Sequence, residues 1–166
     1  MQNAATNGAT HSSPRAVAAV GEGDCVVTVE IAASPERVFR ALASREIVDW
    51  WVRPGVFDTR EWTGDVRVGG RWRASGFFRD EPYATEGEFL EVDPPRRLVH
   101  TWHGVGAPGA PTTVSYLQEG IDGGTRLTLR HSGFASREAC ANFGVGWETS
   151  LVRLTELLAA EQQPGS

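Results

Sequence analysis

Lysine is absent from the sequence, and all sixteen basic residues are arginine. A Schiff-base mechanism and a P-loop are therefore excluded, because each needs a lysine amine as nucleophile or phosphate ligand. Thiols are scarce: Cys25 and Cys140 are the only cysteines. With no Cys-x-x-Cys pair and no His–Cys spacing suited to zinc, two reduced, buried thiols are expected. Long apolar runs are missing as well. Residues 1–23 lack a basic start and offer only Ala-Val-Ala-Ala-Val, too short for a signal peptide. No stretch approaches the roughly 20 apolar residues of a membrane span, so a cytoplasmic protein without membrane contact is expected. An excess of positive charge is also lacking. The formal net charge of −5 argues against nucleic-acid binding, which relies on a basic surface releasing counterions.

What is present suits one domain with two tails. The chain has 166 residues and is 40% hydrophobic, enough for a core. Residues 1–23 and 161–166 read as disordered tails and 24–160 as the domain. Cys25, Val27, Val29 and Ile31 alternate with polar or outward residues, which predicts a half-buried strand. Ser34 as N-cap and Pro35 at the first helical position open a short helix with Val38, Phe39, Ala41 and Leu42 on its buried side. A second short helical segment ends at Trp50 and Trp51 before Pro54. Alternating segments then follow from Phe57 to Gly133, with Asp122-Gly123-Gly124 as a hairpin turn. On the Arg71–Asp80 segment, Trp72, Ala74, Gly76 and Phe78 share one face, and their mixture of rings and small side chains leaves room for a cavity. Last comes a long helical pattern from Ser136 to Ala160, in which Phe143, Trp147, Leu151, Leu154 and Leu158 form one stripe. Gly144 and Gly146 weaken it by roughly 1 kcal/mol each relative to alanine, which implies close backbone approach or a break before Trp147. The order of elements predicts an α+β fold: a curved antiparallel sheet of six to seven strands around the C-terminal helix, with two short helices after the first strand.

Four separated motifs carry a resemblance: Val68–Trp72, Glu86–Trp102, Thr125–Phe134 and Gly146–Leu158. Together with Ser34–Leu42 and Asp49–Phe57, they make the chain similar to the bacterial family related to the activator of heat-shock-protein-90 ATPase, in the START-like, helix-grip (SRPBCC) superfamily. The resemblance implies a deep apolar cavity between the sheet and the C-terminal helix. It fixes activity much less, because members of that superfamily bind apolar molecules, cyclise polyketides or assist other proteins.

Few residues are suited to chemistry. His131 shares a strand face with Leu127 and Leu129 and is a weak candidate for acid–base work or for a polar anchor. His100 shares a face with Leu98 and Trp102. Glu88, read as sharing a face with Leu90 and Val92, is a second weak catalytic candidate. No HExxH or other regularly spaced ligand set is present, so neither a metal nor a cofactor is expected. Arg67, Arg71, Arg73 and Arg79 form the densest basic row, suited to an acidic ligand or, more simply, to pairing with nearby carboxylates.

The leading expectation is a carrier or sensor for a small hydrophobic molecule. The expected ligand-binding residues are Trp50, Trp51, Trp72, Phe78 and Trp102, together with Tyr116, His131, Phe143, Trp147 and Leu151. The alternatives are a cyclase, dehydratase or hydrolase acting on an aromatic or polyketide-like molecule, and a chaperone-assisting module. The large additional domain of the eukaryotic co-chaperone has no counterpart in this length. A homodimer through a sheet edge or the Trp50–Trp51 region is possible.

Overall fold

A computed structural model describes residues 16–162. Most of both expected tails, residues 1–15 and 163–166, lie outside that range. The sheet has nine strands: β1 (Val17–Val20), β2 (Asp24–Ile31), β3 (Val52–Arg53), β4 (Phe57–Gly64), β5 (Arg71–Phe78), β6 (Glu81–Asp93), β7 (Arg97–Gly104), β8 (Thr112–Ile121) and β9 (Gly124–Ser132). Their spatial order is β1-β2-β9-β8-β7-β6-β5-β4-β3, and every neighbouring pair is antiparallel. Two short helices, α1 (Pro35–Leu42) and α2 (Ile47–Trp50), carry the chain from β2 to the far edge at β3, and α3 (Arg137–Glu161) closes it. This is the expected α+β helix-grip fold with two to three more strands.

The extra strands sit at the two edges. β1 falls where the N-terminal tail was expected, because its Ala-Val-Ala-Ala-Val run shows no alternation of apolar and polar residues. It is held by pairing with β2, Val17 opposite Thr28 and Val20 opposite Cys25. The Ala18 amide also donates to Glu148 Oε2 at 2.7 Å. β3 is two residues long, below the length at which alternation exists.

The helix starts follow from local chemistry. The Ser34 side chain accepts the Arg37 amide, with Pro35 next in line, and Ser136 accepts the Ala139 amide. α3 runs unbroken through both glycines and includes Glu161, which the sequence reading had placed in the tail. Both opposite edge strands, β1 and β3, contact α3, so the sheet is curled around one helix. The two halves of α3 differ. Its C-terminal half buries Leu151, Leu154 and Leu158, each stabilising by about 1.5–3 kcal/mol, against a core that includes Val29, Leu127 and Leu129. Its N-terminal half carries small residues. A Cβ on Gly144 would stand 3.0 Å from Ala18 Cβ, and one on Gly146 would stand 3.7 Å from Phe57 Cε1. Close approach, rather than a break, accounts for Gly144. At Gly146 a side chain is missing beside a space.

Candidate functional site

That space is a cavity of about 570 Å³ between the N-terminal half of α3 and strands β3 to β7. Tryptophans make its inner wall. Trp51 lies at the end of α2, Trp102 on β7 and Trp147 on α3, all lining the cavity. The Trp51 ring centre is 4.9 Å from that of Trp102 and 6.0 Å from that of Trp147. Phe143 meets Trp102 edge-on at 6.0 Å. Phe57 and Phe78, paired across β4 and β5, carry the wall outward. Phe78 is 47% exposed and Val145 42%, so they mark the mouth.

Polar groups interrupt the aromatic wall at several places. Thr59 Oγ1 and Tyr83 Oη share a 2.6 Å hydrogen bond. Burial pushes the Tyr83 phenol up, with the Thr59 hydrogen bond opposing it. Asn142, Ser150 and Thr85 also line the space, as do Arg53 and Arg79 at its rim, and no carboxylate does. Behind the lining surface, Trp51 Nε1 and Thr85 Oγ1 are buried with no hydrogen-bond partner among the described residues.

Of the residues expected to bind ligand, Trp51, Phe78, Trp102, Phe143 and Trp147 line the cavity, and the others stand behind it. Trp50 is turned away and donates its indole N–H to the Ala41 carbonyl at 2.9 Å. Trp72 donates to the Thr101 carbonyl at 3.1 Å. Tyr116 and Leu151 are sealed in the core, where burial drives the Tyr116 phenol far above its ordinary range. Alternation identifies the inward face of an element. It does not identify which inward residues abut empty space.

His131 is also behind the wall, and its hydrogen bonds leave it no free nitrogen. The Trp147 indole N–H, which can only donate, reaches Nδ1 at 3.0 Å. Nδ1 is therefore the acceptor and Nε2 carries the proton. Nε2–H donates to Thr112 Oγ1 at 2.7 Å, and that hydroxyl donates to the Trp102 carbonyl. Burial pushes the imidazole down to about 3, and His100 adds to the effect. This is a neutral, structural histidine, which corrects its reading as an acid–base group or ligand anchor. His100 is similarly enclosed. It contacts the Thr101 carbonyl through Nδ1, and burial lowers it to about 4.

Glu88 is placed on the other face of the sheet. Thr85, Gly87 and Phe89 are the buried residues of this part of β6, so Glu88 points away from the cavity, opposite Arg71 on β5. A register shift between Phe89 and Glu91 explains the misreading. The bulge breaks the alternation that had aligned Glu88 with Val92. The arginine row divides in the same way. Arg67 pairs with Asp65 and Arg73 with Glu86 on the exposed surface, whereas Arg79 turns to the cavity rim. Arg53, Thr59, Tyr83 and Thr85 were missed. For Tyr83 and Thr85 the signal was the β6 alternation before the bulge. Among the described residues no three His, Cys, Asp or Glu side chains stand together as a metal site, and no helix is long and apolar enough to cross a membrane.

Comparison with known proteins agrees with this architecture. A protein of Rhodobacter sphaeroides superposes with a TM-score of 0.75 at 23% identity, covering 88% of this chain and 99% of that one. The AHSA1 protein of Silicibacter pomeroyi gives 0.70 at 25% identity, covering 83% and 99%. CalU16 of Micromonospora echinospora gives 0.61 at 22% identity, covering 90% and 87%. No curated protein matches the chain. Residues 32–159 match the model of the family described as Activator of Hsp90 ATPase homolog 1-like protein, and the chain belongs to that family.

Proposed function

We propose that the protein binds a small, largely apolar molecule in the cavity under α3, as a carrier or sensor. The observation that carries this reading is the aromatic-walled, partly open space of about 570 Å³, within the size range of small-molecule sites. Its composition supports binding over catalysis. The buried histidine best placed for proton transfer has both ring nitrogens engaged by Trp147 and Thr112, and no carboxylate lines the wall.

Gly146 supplies the test. A leucine there would project towards Phe57 and narrow the space beside Trp147. The neutral dye Nile red is expected to bind the wild-type protein with about one-to-one stoichiometry and enhanced emission. Gly146→Leu is expected to keep its helical circular dichroism and lose the dye. Equal dye binding by a folded Gly146→Leu protein would place the dye elsewhere and sink the proposal.

A further inference from the structure

The rim of the cavity holds two arginines that are left without a carboxylate partner among the described residues. Most arginines of this acidic chain are paired: Arg37, Arg60, Arg67, Arg96 and Arg130 each contact a carboxylate within 3 Å. Arg53 and Arg79 form no ion pair among the described residues. They are held at the same place by backbone geometry. The Val56 amide donates to the Arg53 carbonyl at 2.9 Å, and the Arg79 amide donates to the Val56 carbonyl at 2.8 Å. Val56 therefore bridges the two residues, and all three line the cavity. Arg53 is only partly exposed, which reduces the screening of its charge by solvent. The Arg79 guanidinium lies 5.6 Å from the centre of the Phe78 ring at the mouth.

Building on the reading of the cavity as a ligand site, we infer that its ligand is an amphipathic organic anion, with a carboxylate or phosphate headgroup at Arg53 and Arg79. Its apolar body lies among Trp51, Trp102 and Trp147. Guanidinium groups match the planar geometry of carboxylate and phosphate oxygens. An anion that accepts from either guanidinium gains a charge-assisted hydrogen bond.

The test uses calorimetric titration of the full chain with 2-naphthylacetate, its neutral methyl ester and 2-naphthyl phosphate, alongside Nile red. The acid or the phosphate is expected to bind roughly tenfold or more tightly than the ester, and the tighter of the two names the headgroup. Raising the salt concentration should narrow the gap. Arg53→Gln with Arg79→Gln should abolish the preference and leave ester and Nile red binding unchanged. Arg71→Gln, which removes a charge from the outer face of β5, should alter nothing. If Nile red and the ester bind but neither anion is preferred, the anionic ligand is wrong and the cavity reading stands. If none of the four binds, both fall.

Discussion

Trp147 and Thr112 decide what His131 can do. With one ring nitrogen accepting and the other donating, the imidazole can be protonated only by breaking the bond from Trp147. Burial holds the folded-state imidazoles of His131 at about 3 and His100 at about 4, both below the ordinary 6.5. Above pH 6.5 each is neutral whether folded or unfolded and contributes no pH dependence. Between 6.5 and about 4 the unfolded chain takes up protons that the folded chain refuses, so stability falls as pH falls. Each histidine contributes up to about 1.4 kcal/mol per pH unit. Urea unfolding at pH 7, 6, 5 and 4.5 should show that decline, and a flat profile across this range would contradict the buried neutral assignment. The inward direction of His131 was legible from its alternation with Leu127 and Leu129. Its partners were not, because they lie 19 and 16 residues away on a different strand and a helix, and only the curl of the sheet brings them together.

At the scale of elements, the two glycines of α3 separate by what each faces. Gly146 borders open space, with Phe57 at ordinary contact distance, so Gly146→Ala should stabilise the protein by about 1 kcal/mol through helix propensity alone. Gly144 lies against β1, and a leucine there would push Ala18 away at a cost of about 1–3 kcal/mol. Denaturant midpoints of the two variants should move in opposite directions. Movement in the same direction would show that β1 does not seat against α3. Elements with strong local chemistry were legible: Ser34 with Pro35 for α1, Asp122 with Gly123 for the β8–β9 turn, and the leucine stripe for α3. β1 and β3 were not, because they depend on pairing partners. Glu88 was misplaced by a single bulged position, since one extra residue turns every later side chain to the opposite face.

Across the whole molecule, closure of the grip rests partly on Arg37. Its guanidinium bonds Glu46, just before α2, at 2.7 Å and Glu161, the last residue of α3, at 2.8 Å. The Glu161 carboxyl is held below its ordinary range mainly by that hydrogen bond. Arg40 reaches Glu46 but not Glu161. Arg37→Ala should therefore speed amide hydrogen exchange in the last turn of α3, whereas Arg40→Ala should leave that turn unchanged. Equal effects would remove the three-way clamp from the account. The general form of this closure was readable from the order of strands and the final helix. The clamp was not, since nothing local marks Arg37 among sixteen arginines.

Five of the six tryptophans, at positions 50, 51, 72, 102 and 147, touch one another with Trp51 at their centre, and Trp62 stands apart. Rings packed this closely at fixed angles share an excitation before they emit. Light absorbed by any of them samples the others, so the near-ultraviolet dichroism of the folded protein should show coupled bands and not a sum of separate indoles. A molecule that meets only Trp51, Trp102 and Trp147 then changes the emission of rings it never touches, and the protein carries its own optical gauge of whether the cavity is filled.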